Sequence, residues 1–232
     1  MPRVAGTPDS CLANAVGARL YSSKKQRAGT CSRMGRRSVH SPEELRQLIL
    51  DASQTIVERN GITGLSAREI ARMIGYSPGT LYNIFENLDD VLLTLQVQLL
   101  GRTVDHLKRV PLGADGEKNI DALVRAYVDF ALANRRMWNL FLAHNLPAGR
   151  TMPPLYLDHI NTLIGIVKTA LTPLAPAASL ESLDATARTL WAGVNGITAV
   201  AATEKAVYLT PATAQAYASE LTATFIKGLR CP

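Results

Sequence analysis

Apolar residues recur at three- and four-residue intervals along most of the chain, and no stretch alternates in the period of two that a half-buried strand requires. The first stripe is Leu45, Leu48, Ile49, Ala52, Ile56 and Val57. Ser41, with Pro42 next and Glu44 three residues on, makes a capping box ahead of it, and Asn60-Gly61 supplies a stop. A second box, Ser66 with Glu69, opens a shorter helix carrying Ile70, Ala71 and Ile74 on one face. It ends at Gly75, a residue free to turn left-handed. Ser77 and Pro78 then start a third helix over 77–85, with Leu81 and Phe85 inward and Leu65 placed to plug the shared core.

Asn87, followed by Asp89 and Asp90 in a first turn that favours acids, opens a fourth helix running to about Val110, before Pro111. Leu92, Leu95, Leu99 and His106 or Leu107 form its buried stripe, and Gly101 is a candidate bend. Helix follows helix from Gly116 onward. Ile120, Leu123, Val124, Tyr127 and Ala131 stripe the fifth, and a sixth over 135–145 holds Met137, Trp138, Phe141 and Leu142. After Pro147, Pro153 and Pro154, further helices are expected over 155–174, 180–203 and 211–229. The pattern predicts an all-α protein of about nine helices.

Helix, short turn containing glycine, second helix over 66–85 is the helix-turn-helix pattern, whose second helix lies in the DNA major groove. Over 43–95 the chain resembles the DNA-binding domain of the TetR family of bacterial transcriptional regulators. Gly61, Ile70-Ala71, Gly75, Ser77, Gly79-Thr80-Leu81-Tyr82 and Phe85 stand at that family's spacing. The resemblance implies that Thr80, Tyr82 and Asn83 sit in the groove: Asn83 pairing with an adenine edge, Thr80 touching a thymine methyl or a phosphate, Tyr82 binding phosphate. Ser66, Ser77, Pro78 and Gly79 complete the expected contact set, Gly79 by letting the backbone come close. Arg68 matches a position from which the family often contacts DNA.

Two positions depart from the family pattern. Leu88 stands where many members carry a phosphate-binding lysine, and Ile84 replaces an aromatic or histidine. Residues 41–93 hold Arg46, Arg59, Arg68 and Arg72 against eight acids. A basic DNA face must therefore come from arrangement, which brings in Arg36, Arg37 and Arg46 as further contacts.

The charge is concentrated at the start of the chain. Residues 1–40 carry eight Lys or Arg against Asp9, a net +7, while the whole chain of 232 residues is +6. This Ser-, Gly- and Ala-rich segment is expected to be a largely disordered basic extension, with Met34 a candidate alternative start. A helix-turn-helix domain over 41–86 and a C-terminal ligand-binding and dimerisation domain over 87–232 follow. Hydrophobic residues make up 47% and aromatics 6%, and no apolar run is long enough to span a membrane. Cys11, Cys31 and Cys231 form neither a metal spacing nor a disulfide framework, which fits a reducing, cytoplasmic compartment.

Assembly is expected at the C-terminal end. Leu183, Ala187, Leu190, Trp191 and Val194 stripe one of the last two helices, and Tyr217, Leu221 and Phe225 the other. In the resembling family those helices pair with a two-fold mate, so a homodimer presents two recognition helices to a palindromic operator in double-stranded DNA. Small residues, Gly193, Gly196, Ala199 and Ala202, favour close approach. A small-molecule effector, hydrophobic or aromatic, is expected in the bundle, with Tyr127, Trp138, Phe141, His144, Tyr156, His159 and Asn195 as candidate contacts. No metal or other cofactor is expected. Four histidines lack metalloprotease spacing, and no phosphate-cradling glycine loop or nucleophile elbow is present, so the chain reads as no enzyme. Two functions remain: a ligand-released regulator, usually a repressor in this family, or a dimeric helical module that has lost specific DNA binding.

Overall fold

The computed structural model describes residues 40–144, 146, 149–203 and 207–230. These residues are helical, with no strand among them. Expectations placed on Arg36, Arg37, Met34, the three cysteines and the rest of the basic extension lie outside the described residues, as do Asn145 and Pro147.

Helix α1 (Pro42–Asn60) begins in a complete capping box, the Ser41 hydroxyl accepting from the Glu44 amide and the Glu44 carboxylate accepting from the Ser41 amide. Leu45, Ile49, Ile56 and Val57 are buried along its inner face, with Leu50 as an unexpected addition and Leu48 only half-buried. A single 3-10 turn over Ile62–Gly64 leads into α2 (Ala67–Ile74). Only half of the second expected box forms. Ser66 accepts from the Glu69 amide, but the Glu69 carboxylate pairs with Arg72 instead of turning back to Ser66. Gly75 ends α2 at φ 75°, ψ 27°, the left-handed conformation that only a residue without a Cβ adopts cheaply.

Helix α3 (Pro78–Leu81) is shorter than the span 77–85, because the chain after Leu81 tightens into turns while still burying Phe85. Helix α4 (Leu88–Lys108) starts at Asn87, whose side chain accepts from the Asp90 amide, and runs unbroken through Gly101. The expected bend is absent, and Gly101 serves a different purpose. A Cβ there would lie 3.1 Å from the His159 ring, so the glycine makes room for that side chain.

Four long helices complete the bundle: α5 (Gly116–Ala133), α8 (Pro154–Leu171), α9 (Leu180–Ala202) and α10 (Pro211–Arg230). The expected sixth helix divides at Asn139 into two single turns, α6 (Arg135–Trp138) and α7 (Leu140–Ala143). A continuous apolar core joins α1 through α10, from Ile49 and Phe85 through Leu95 and Leu99 to Leu163 and Ile226. Among the described residues no helix is long and apolar enough to cross a membrane.

Candidate functional site

The segment from Ser77 to Asn83 presents a polar outer surface on an apolar anchor. Leu81 is buried, while Ser77, Pro78, Gly79 and Asn83 are exposed and Tyr82 is 53% exposed. Ser77 stands at the N-cap with extended backbone, but its hydroxyl bonds the Thr80 hydroxyl at 3.0 Å rather than a backbone amide. The first amides of α3 are thus left without that side-chain cap. A Cβ on Gly79 would meet nothing closer than the Ser77 hydroxyl at 3.9 Å, so the protein's own packing does not demand a glycine there. Arg68 and Ser66 are exposed at the start of α2.

Arg46 is placed differently from the expectation. Its guanidinium lies 4.4 Å from the Phe85 ring centroid and Nη2 reaches Thr94 Oγ1 at 3.5 Å. The arginine is half-buried, clamping α1 to the turn after α3, and its charge is spent on an aromatic face. Leu88 and Ile84, the two departures from the family pattern, both pack against the core. His40 Nδ1 lies 2.6 Å from the Tyr76 hydroxyl, which holds the start of the described chain beside the turn preceding α3.

A cavity of about 30 Å³ lies in the bundle between α4, α5, α8 and α9. Leu107, Leu123, Tyr127, Leu163, Leu190 and Trp191 are among its walls. Tyr127 Oη donates to Asn195 Oδ1 at 2.7 Å. Burial holds the Tyr127 hydroxyl well above the ordinary tyrosine range, an effect opposed by a hydrogen-bonding contact from the Trp191 side chain and reinforced by Tyr156. Trp138 stands edge-on to Tyr127 with centroids 5.5 Å apart and edge-on to Phe141 at 5.3 Å, forming an aromatic layer behind the wall. The ligand candidates therefore separate: Tyr127 lines the cavity, while Asn195, Trp138, Phe141 and Tyr156 support it. His159 packs on Gly101 instead.

His144 belongs to another constellation, between the helix-turn-helix and the bundle. Its Nε2 lies 3.0 Å from Asp89 Oδ1 and its Nδ1 is 3.3 Å from Gln96 Nε2. Gln96, almost wholly buried, donates to the Leu140 carbonyl at 2.9 Å. Arg136 Nη1 donates to the carbonyls of Glu58 and Arg59 at the end of α1, and Arg150 pairs with Glu86 at 2.5 Å. Gln96 had a signal in the sequence, a lone amide within an apolar helical face. Arg136 and Arg150 had none.

The dimer stripe needs correcting. Leu183, Ala187, Leu190 and Val194 are all buried within the subunit, and Leu190, Trp191 and Val194 line its cavity. Gly193 likewise accommodates Leu221 of the same chain, since a Cβ would come within 2.8 Å of it. Over the C-terminal half of α9 the exposed residues are Ala192, Gly196 and Val200, and on α10 Tyr217 is 48% exposed beside half-buried Leu221 and Phe225. Among the described residues no three His, Cys, Asp or Glu side chains converge as metal ligands would.

A helix-turn-helix mounted on a helical bundle that encloses an apolar cavity is the class these features define. A family model described as "Tetracyclin repressor-like, C-terminal domain" matches residues 120–225. The Bacillus subtilis protein described as "Uncharacterized HTH-type transcriptional regulator YobS" is 28% identical over 88 residues, covering 38% of this chain and 46% of its own. The chain spans about half the length of the curated relatives it matches. Among solved structures, one of a Rhodococcus protein of unknown function has a TM-score of 0.63 at 22% identity, covering 83% of this chain and 98% of its own. Thermus thermophilus FadR, a TetR-family transcriptional repressor in complex with lauroyl-CoA, has a TM-score of 0.58 at 20% identity, covering 81% and 95%. The chain is thus similar to tetracyclin repressor-like proteins over residues 120–225 and to HTH-type transcriptional regulators over part of its length.

Proposed function

We propose that this protein is a transcriptional regulator that binds a palindromic operator as a homodimer and is released by a small apolar effector, acting as a repressor in the cytoplasm. The observation that carries this is the segment Ser77–Asn83, exposed except for half-buried Thr80 and buried Leu81, with a glycine at position 79 that the protein's own packing does not require. Helix α3 enters the major groove, Thr80, Tyr82 and Asn83 meeting bases and phosphates, and Ser66 and Arg68 hold the flanking backbone. Arg36 and Arg37 add phosphate contacts from the extension that ends at His40.

Pairing uses the outer surface of α9 and α10, where Ala192, Gly196 and Val200 lie on one helix and Tyr217, Leu221 and Phe225 on the other. Small residues facing outward let a two-fold mate approach closely, and the mate supplies the second recognition segment that one half-site cannot provide.

Effector binding acts through α4. Leu107 near its end lines the cavity, and Asp89 in its first turn holds His144. At 1.5 Å per residue this helix is a rod of about 30 Å joining the two sites. A ligand that enlarges the cavity favours an α4 position in which the paired α3 segments no longer match one operator. The lauroyl-CoA carried by the Thermus FadR structure supports an apolar tail as the effector's buried part. No role as an enzyme is proposed. A gel-shift with DNA from upstream of the protein's own gene tests the proposal. Wild type retards the fragment, and Tyr82→Ala with Asn83→Ala does not; retardation by both would point to charge alone.

A further inference from the structure

Another hollow lies where the helix-turn-helix meets the bundle, and its walls carry charge. This open groove of about 640 Å³ dwarfs the bundle cavity and has the size of a small-molecule cleft. Arg59 lines it from the end of α1, and Arg135 and Arg136 line it from α6. All three are exposed, and no acidic residue is among those lining the groove. Among the described residues no carboxylate pairs with any of the three. Arg136 gives Nη1 to the carbonyls of Glu58 and Arg59, neutral acceptors that leave its charge standing. The Glu58 carboxylate, adjacent in the chain, accepts from Gln54 instead. Like charges gathered on one concave surface raise the local potential and draw in anions. The same groove has apolar walls in Ile62, Ala143, Ala202 and Leu142, the last 48% exposed.

We propose that this groove is a ligand site separate from the bundle cavity, and that it takes a small organic phosphate monoester with an apolar body. A phosphate monoester carries more than one negative charge and three strong acceptor oxygens, whereas a carboxylate offers one charge and two oxygens. Guanidinium forks match the phosphate in charge and in donor geometry, and the apolar walls take the ester's body. The inference depends neither on the effector cavity nor on operator recognition. Arg59 belongs to the helix-turn-helix and Arg135 to the bundle, so the groove's occupant lies against both.

Phenyl phosphate, benzoate and inorganic phosphate separate the contributions: the first two share a ring, and the first and last share a phosphate. Equilibrium dialysis against the full chain, without DNA and in about 0.15 M salt, screens charges remote from the site. Phenyl phosphate should bind about threefold or more tighter than either of the others. Arg59→Gln and Arg135→Gln should each weaken phenyl phosphate about threefold or more, and the two together about tenfold or more. Neither side chain has a partner among the described residues that its loss would strand, so these variants keep the fold. Arg109→Gln removes the same charge at the opposite end of α4 from the helix-turn-helix, and should leave binding within about twofold of wild type. Benzoate or inorganic phosphate binding as tightly as phenyl phosphate overturns the proposal. So does full binding by the Arg59→Gln, Arg135→Gln protein, an equal loss in Arg109→Gln, or no saturable binding of phenyl phosphate. Because no DNA is present, none of these outcomes touches operator recognition.

Discussion

Gly75 and Gly79 stand four residues apart and owe their identity to different causes. Gly75 sits at φ 75°, so any side chain there is strained by the backbone whatever the surrounding space. Gly79 has an ordinary φ and open space around it. Gly75→Ala is therefore expected to lower stability by about 1 kcal/mol, measured by urea unfolding. Gly79→Val should change stability by less than about 1 kcal/mol yet abolish operator binding, because the branched side chain holds the backbone off the phosphates. A Gly79→Val protein that binds normally would place the DNA elsewhere.

Glu44 makes a second residue-scale prediction. The Ser41 amide, and then its hydroxyl, hold the Glu44 carboxyl below the ordinary glutamate range. A folded value below the unfolded one means that the box stabilises the protein above the ordinary glutamate range. That stabilisation is lost as pH falls through the lowered value. Wild type should thus exceed Glu44→Gln in stability near neutral pH, and the gap should close in acid; a gap independent of pH would show that the carboxylate is not the stabilising form. This box was legible from Ser41 and Glu44 alone, since both partners are local. The Ser66–Glu69 box was only half legible, because Arg72, one turn on, outcompetes the Ser66 amide for the carboxylate.

At the scale of elements, α6, α7 and the segment after them fasten the helix-turn-helix to the bundle. Arg136 grips the end of α1, Gln96 ties α4 to α7, His144 meets Asp89, and Arg150 meets Glu86. Exposed ion pairs contribute little, so the almost fully buried Gln96 and the largely enclosed His144 carry most of the connection. His144→Ala should leave both operator binding and effector binding within about threefold of wild type while weakening effector-driven release by about 0.5–2 kcal/mol of coupling. Anisotropy of labelled operator, titrated with and without effector, reads this. Unchanged coupling would move the connection to Arg136.

Helix positions were legible because caps and apolar periods are local signals. Which side of α9 faces inward was not. Leu183, Leu190, Ala199 and Val200 leave apolar or small residues all round that helix, so the sequence period does not tell a subunit core from a subunit interface. The same ambiguity hid the cavity. Trp191 lies on a stripe that fits either an interface or a pocket wall, and only packing against Tyr127 and Leu163 separates them.

At the scale of the whole molecule, the proposed homodimer requires two recognition segments at a fixed separation, and the proposal gives that task to the surface of α9 and α10. Trp191, turned toward the cavity, is a poor probe of pairing. Tyr217 is exposed and central to the α10 stripe, so Tyr217→Glu should yield monomers by sedimentation velocity and reduce operator affinity at least about tenfold. A dimer that persists would locate the interface on another surface. The charge distribution adds a constraint. With the basic residues gathered in 1–40, the folded DNA-binding domain has few cations of its own, and Arg46 is already occupied by Phe85.

Selection of bound duplexes from a random-sequence pool tests the central claim most directly, because it presupposes no operator. The wild-type protein should enrich a two-fold symmetric motif whose half-sites are centred about one helical turn apart or a multiple of it. The Tyr82→Ala, Asn83→Ala protein should enrich none. Enrichment of the same motif by both proteins, or of no motif by either, would contradict recognition through Ser77–Asn83.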